Sequence, residues 1–561
     1  MKTHKIRIKK GRFTIGLAFL LFVTFSLTML SSCEKQLTEK PINFYSAAEF
    51  FKSTENLEKA VNGVYEIFSD QSTYGQPWMV YDCDTDISHI AGQGLGHVAR
   101  DLGHYNIFVT DPWLQDSWAL YYKGINRANA ILAYADKVEI QDEADQKVFN
   151  TLIAETKALR AMCYFDLVIL FGDVPFTTTP TESDEFNLTR TDRNVIFDQI
   201  EKDYKEAIEN LEYAVDKSST FDGRLNKGAV MGLLIRMNMF RAGYFLGQDG
   251  QMQRYSNYKD YYQNAITLAD ELINSGKHSL LDSYERVFRN MCELIIDPTE
   301  NMWEIPFFNA TGQRTHSGMM GTYNGPTIDI KSKYGRANSF IKTHRFFYDT
   351  FAADDPRRDI AVATFSINAS DEIKQLARNQ SYNWAPGKWR RNWQTGPIKD
   401  NNNTDVNWLF IRYADVLLYR AEAENEVNGV TSVAIEYLNQ IRRRAYGLPY
   451  KTPDVTVDKK LTDYASPDDF RKEIVDERAR ELCFEGLRRQ DLIRWNLLDA
   501  KIQETDAKFK AAVADGTSRD YTFKAAELFT HNKHELYPIP DYEIRETKGV
   551  LTQNPGYQTT N

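Results

Sequence analysis

Residues 410–429 read FIRYADVLLYRAEAENEVNG, with Ala414, Leu417, Leu418, Ala421 and Val427 at helical spacing and Gly429 placed to end the helix. A few residues later, 433–449 (VAIEYLNQIRRRAYGLP) sets Ile435, Leu438 and Ile441 on one stripe and stops at Gly447 and Pro449, which predicts an antiparallel helix pair. A third helix opens clearly. Ser466 suits the N-cap, Pro467 the first helical position, and Asp468 and Asp469 the positive helix end, ahead of FRKEIVDERARELCFEGLRRQDLIRW at 470–495. On this helix Glu477, Glu481 and Glu485 stand three or four residues from Arg478, Arg480, Arg488 and Arg489, the spacing of ion pairs along a packed or solvated helix face rather than of acid–base chemistry.

Working outward, Leu57, Ala60, Val61, Val64 and Phe68 mark a first long helix after a Ser46/Glu49 capping-box pattern. Trp118, Tyr122, Ile125, Asn129 and Leu132 mark another, and Val148 to Ile169 a third that ends at Gly172 and Pro175. Further helices are expected near 193–214, 226–245 and 256–275. No repeat of fixed period is visible, so spacing alone predicts an α-helical array.

Four C-terminal blocks, RYADVLLYRAEAENE, LNQIRRRAYGLP, ERARELCFEGLRRQDLIRW and ELYPIPDYEI followed by LTQNPGY, resemble the signature of the SusD/RagB family of surface nutrient-binding lipoproteins. The likeness continues more weakly through NGVYEIF, WALYYKGINRANAIL, ALRAMCYFDLVILFGDVPF and NKGAVMGLLIRMNMFRAG, and so covers most of the chain after the leader. It implies a mostly α fold: tetratricopeptide-like stacked helix pairs with long loop-rich insertions and a few short strands. The expected divisions are an N-terminal helical region at 53–300 and a C-terminal region at 301–561, the latter with a loop-rich insertion at 301–408 and a helical segment at 409–500.

The first 32 residues hold six Lys or Arg and no acid. Without them 62 basic stand against 78 acidic residues, and the net charge moves from −10 to about −16, which disfavours nucleic acid as a partner. A basic start to Arg12, the apolar run FTIGLAFLLFVTFSLTML and the sequence Leu30-Ser31-Ser32-Cys33 read as an export signal at 1–32. It resembles a bacterial lipoprotein lipobox, with cleavage before Cys33, acylation of that residue, and a polar tether through residue 52. The other cysteines are 83, 163, 292 and 483; Cys163 and Cys483 sit in apolar helical stretches as small buried hydrophobes.

Two segments escape helical patterning, 71–113 and 301–408, both rich in Gly, Asn, Thr and aromatics. Loops this long inside a compact domain carry function or are disordered, and aromatic content argues for function. The chain has 31 Tyr and 9 Trp, amphipathic rings suited to stacking on sugar faces or gripping a peptide. The resemblance puts ligand contacts in these loops. By position that points to Tyr74, Trp78, Asp86 and His89 in the first and to Phe308, Tyr323, Tyr334 and Trp384 in the second, with Trp118 and Trp303 left to packing.

The run Asp82-Cys83-Asp84-Thr85-Asp86 alternates carboxylates like a calcium loop, but Ile87 and Gln93 stand where Gly and Glu are required. His89, His97 and His104 could form a metal stripe only on a helix that Gly92, Gly94, Gly96 and Gly103 oppose. His531 and His534 lie in a polar stretch and are expected to face solvent. No nucleophile elbow, Walker loop, zinc-protease helix or dinucleotide fingerprint occurs, and no metal or cofactor is expected. The family likeness implies a lipid-anchored, non-catalytic binder of oligosaccharide on the outer face of an outer membrane. Its implied partner is a SusC-like TonB-dependent transporter. A peptide binder with the same transporter, a surface glycoside hydrolase and a purely structural adaptor are the competing readings.

Overall fold

The computed structural model describes residues 47–181, 189–216, 223–308, 316–396, 398–519 and 521–559; Cys33 and Ser46 lie outside them. Met1–Phe50 is one unit, seen here as a helical turn at Ala47–Phe50, and Phe51–Asn561 is the other.

The larger unit is a run of helices, each laid against the next. Helix α1 (Thr54–Tyr65) starts under Ser53, whose side chain accepts from the Asn56 amide. The loop after it holds α2 (Pro77–Tyr81), strand β1 (His89–Ile90) and α3 (Val98–Gly103). Helix α4 (Pro112–Tyr134) is capped by Asp111, and α5 (Glu143–Phe171) by Asp142, with Gly172 at its end. Then come α6 (Arg193–Asn210), α7 (Lys227–Ala242) and α8 (Tyr258–Asn274). Consecutive helices from α4 to α8 pack pairwise, and α1 lies against both α4 and α5. Helix α5 from Leu152 onward and α7 are buried nearly all round, as the middle of a layered array must be.

The insertion begins at β2 (Trp303–Ile305), contains β3 (Ile341–Lys342) and ends at β4 (Trp408–Ile411). Its ends are zipped together: β4 pairs antiparallel with β2 through Trp408↔Ile305, Leu409↔Glu304 and Ile411↔Trp303. Trp303 is fully buried there, edge-on to Phe410 at 5.2 Å, and Trp118 is buried against Phe171, so both pack as expected. Helix α9 (Tyr413–Asn428) joins the array through α8 and α7, with α10 (Ser432–Ala445) folded back on it and α11 (Pro467–Leu482) packed beside it. Ser466 caps α11 from the Asp469 amide, as the sequence reading has it.

One helix expected to run on to Trp495 is two. Cys483 is extended, Phe484 (φ 64°) and Gly486 (φ 78°) are left-handed, and α12 (Arg488–Arg494) restarts beyond them, followed by α13 (Leu498–Ala514). A Cβ on Gly486 would lie 2.7 Å from Cζ2 of Trp408. Gly486→Ala therefore combines backbone strain with a clash against a packed ring, and is expected to cost about 2–3 kcal/mol in urea unfolding. A loss below about 1 kcal/mol would show that the corner can relax.

The break aims α12 at the first loop. The Arg489 amide donates to Asp82 (2.8 Å) and Arg488 grips Asp86. Glu477 and Glu481 of α11, and Glu485 just beyond it, face inward into a buried lattice of guanidinium groups, while Asp468 and Asp476 of the same helix stay exposed. Cys83, Cys163, Cys292 and Cys483 are buried free thiols.

Candidate functional site

The two loop segments are built as one piece. β1 pairs antiparallel with β3 through His89↔Lys342 and Ile90↔Ile341, and the ladder continues as the Ala91 amide donates to the Phe340 carbonyl (2.8 Å). Lower down, the Met319 amide donates to Gly75 (3.0 Å) and the Ile341 amide to Tyr323 (2.9 Å). Backbone pairing between segments some 250 residues apart thus fixes which side chains meet at the surface.

What meets there is a small platform. The half-buried Phe340 ring lies 5.2 Å from Tyr323 at 34° and 5.4 Å from the exposed His97 at 46°, with the Arg100 guanidinium 5.8 Å from its centre. Gln76 donates to the Tyr323 hydroxyl at 2.5 Å, so that phenol accepts inward and keeps its own hydrogen to donate. Burial raises the Tyr323 pKa, and the phenol stays neutral. The rim is the stretch 92–97, which turns on Gly92 (φ 84°) and Gly96 (φ 90°). Arg100 ties it down through the carbonyls of Ala91 (3.1 Å) and Gly94 (3.3 Å), and Asp101 accepts from the Gly96 amide at 3.0 Å. Aromatic faces beside fixed donors suit a ligand with apolar faces and hydroxyl edges.

Of the eight loop residues expected to touch ligand, Tyr323 is in this group and the other seven are elsewhere. Tyr74 and Trp78 stack on each other (4.9 Å, 5°) in the interior; the Tyr74 hydroxyl donates to Asp166 (2.9 Å) and the Trp78 indole to the Tyr121 hydroxyl (2.8 Å). Trp408 and Phe410 press edge-on against Tyr74, so this pair fastens the loop to the framework and is closed to solvent. Asp86 is held by Arg488 through two bonds of 2.8 and 2.6 Å. His89 is fully buried with Nε2 on the Tyr382 carbonyl (2.9 Å), and burial holds it well below the ordinary histidine pKa. Trp384 is buried edge-on to Tyr348. Tyr334 packs on Ile328, Ala337 and Ile367, whereas Phe308 is 67% exposed with Lys399 over its ring.

The three alternating carboxylates share no partner. Asp82 takes the Arg489 amide and is pushed up to about 7 by burial; Asp84 takes the Ile90 amide (2.8 Å) and His104 (2.7 Å); Asp86 takes Arg488. Burial disfavours the charged His104 ring, but Asp84 beside it wins and raises its pKa. This Asp84–His104 pair is a buried staple under the rim. Among the described residues no group of three or more His, Cys, Asp or Glu could hold a metal ion. His531 is half exposed, but His534, expected in solvent, is buried with Nδ1 accepting from the Thr530 amide and its pKa pressed to about 3.

Phe340, Arg100 and Gln76 were not singled out from sequence, and His97 only as a member of a metal stripe that the glycines oppose. The available signals were the glycine run GQGLGHVAR and the strand-like SFIKTH, which is the pairing partner of SHIAG.

The SusD family model matches residues 299–557, and a family described as starch-binding associating with outer membrane matches residues 37–239. SusD-like protein P25 of Formosa agariphila is 27% identical over 530 residues, 88% of this chain and 91% of that protein. Starch-binding protein SusD of Bacteroides thetaiotaomicron is 24% identical over 452 residues, 72% of either chain. A crystal structure of a SusD homologue from the same organism superimposes with a TM-score of 0.82 at 28% identity, over 91% of this chain and 98% of the other. Its surface glycan-binding protein A, solved with laminarihexaose, shares the fold: TM-score 0.68 and 19% identity, over 90% of this chain and 100% of the other.

Proposed function

Because the chain belongs to the SusD-like family, we propose that it captures oligosaccharide at a cell surface without transforming it. The observation that carries this reading is the Phe340–Tyr323–His97 platform, which both loop segments build and in which the half-buried Phe340 ring and the exposed His97 face solvent beside the buried Tyr323. Relatives are named for starch binding, and one shares its crystal with laminarihexaose. In this reading Cys33 carries the lipid that holds the protein to the outer membrane, and a SusC-like TonB-dependent transporter receives the glycan. The hydrophobic acyl chains supply attachment, leaving the helical array free to present its loops. At the rim Arg100 and the exposed Arg336 are cationic, and the carboxylate of Asp101 is buried and taken by the Gly96 amide, which favours glycan over the peptide alternative.

The protein from Glu34 onward, titrated with laminarihexaose, maltohexaose and a peptide panel, is expected to bind a hexasaccharide and return it unshortened on chromatography. Shortened sugar would make it a glycoside hydrolase, and binding confined to peptides would replace the ligand class. In whole cells Cys33→Ala is expected to release the protein from the membrane fraction; retention would remove the anchor from this reading.

A further inference from the structure

A second opening lies between α11 and α13. It has a volume of about 190 Å³, against 10 to 40 Å³ for the cavities beneath Trp78, beside Phe245, at Gln394 and at Met79. The Asp86–Arg488 ion pair lies in its lining, Phe346, Phe347 and Ala479 supply apolar wall, and α13 contributes Lys501, Glu504, Thr505 and Lys508. Room alone selects it over those four, which hold little more than water.

Its chemistry is balanced. Asp86, Asp476 and Glu504 face Arg488, Lys501 and Lys508, three carboxylates against three cations, so the lining has no excess charge for a phosphate or a uronate. Glu504 bridges Lys501 (3.1 Å) and Lys508 (2.7 Å), which leaves each ammonium with hydrogens to spare. Asp476 has no hydrogen-bond or ion-pair partner among the described residues although it faces this cleft. The hydroxyl hydrogens of Thr505 and Thr350 are spent on the carbonyls of Lys501 (2.8 Å) and Phe347 (2.7 Å), so both oxygens are left as acceptors. Charge-assisted donors and acceptors alternate around an apolar wall. A neutral sugar ring, with a hydroxyl on most carbons and a hydrophobic face, has the matching surface.

We propose that this cleft is a second glycan subsite, seating one neutral hexose unit between Asp476, Lys501 and Lys508 with its apolar face on Phe346 and Phe347. The proposal rests on the glycan-binding reading above but uses none of the platform residues.

Calorimetric titration of the protein from Glu34 with laminarihexaose and maltohexaose tests it. The expected result is two sites, of which Asp476→Ala/Lys508→Ala weakens one by about tenfold or more and leaves the other unchanged. Both side chains are exposed enough for the double variant to fold; Ala479→Phe, which fills the cleft, is the second route to the same loss. Isotherms of both variants identical to that of the unmodified protein would overturn the subsite while leaving the platform standing. Binding that survives Phe340→Ala but not the cleft variants would support the subsite and remove the platform. Absence of binding to either hexasaccharide would remove both.

Discussion

Glu481→Gln is expected to lower the unfolding free energy by about 3–5 kcal/mol, the range for breaking a buried ion pair from one side. Glu481 is fully buried and takes Arg412 (2.6 Å), Arg357 (3.0 Å) and Arg444 on its two oxygens. Burial alone would push its pKa up, but three guanidinium groups hold it well below the ordinary carboxylate range. These arginines also serve Glu300, Glu477, Glu485 and Asp355, so the lattice joins α11 to the insertion, to the start of α9 and to α10. Gln keeps the shape and removes the charge, leaving desolvated cations short of an anion. Urea unfolding of the variant measures the loss; a change under about 1 kcal/mol would show that the neighbouring carboxylates compensate.

The same carboxylates set the acid limit. Glu477 is pushed up by burial and brought down by Arg357, Arg480 and Arg442 to about 2, and Glu485 is lowered by Arg412 and Lys388. A folded pKa below the unfolded value gives stability that is complete above the unfolded pKa, 4.5 for Glu, and is lost as pH falls through the folded one. The carboxylate contribution should therefore begin to fall below about pH 4.5 and keep falling toward pH 2. Buried neutral His89, His344 and His534 start the decline earlier, since below about pH 6.5 the unfolded rings take up protons that the folded ones do not.

The helices were legible because their causes are local. Ser466 with Pro467, and Gly429 after a period of 3.6, act within a few residues of where they stand. The corner at Phe484 was not, since a long charged periodicity hid two left-handed residues whose support is Trp408, far away in sequence. Glutamates 477 and 481 show the same limit: helical spacing finds Arg480 for Glu477 but not Arg357, Arg412 and Arg444, which come from distant segments and make this face an interior. The loops were legible as sites of something other than helix, and their aromatic content argued for order. Which rings face outward is decided by how a loop covers its own framework. Tyr74 and Trp78 became the fastening because Asp166 and Tyr121 offered buried partners, whereas Phe340 reached the surface through a ladder to β1 that no local pattern announces.

Phe340→Ala should weaken binding of the hexasaccharide by roughly thirtyfold, about 2 kcal/mol, with no comparable loss of stability. The ring is half exposed, and its neighbour Tyr323 is held independently by Gln76, so truncation removes ligand-facing surface rather than core. Tyr323→Phe keeps the packing and deletes the donor that Gln76 orients, and a smaller loss, about tenfold, is expected. Trp78→Ala is the control with the opposite signature. It leaves the Tyr121 hydroxyl without its indole donor and opens a cavity beside Tyr74, so stability should fall by about 3–5 kcal/mol. Affinity measured on its folded fraction should change little. If Trp78→Ala weakened sugar binding while Phe340→Ala did not, the ligand would have to reach the interior aromatic pair through an opening of the loops, and the surface platform would lose its role. Unchanged affinity in all three variants would place the sugar away from these rings, and absence of binding would return the chain to the adaptor reading, in which they serve the fold alone.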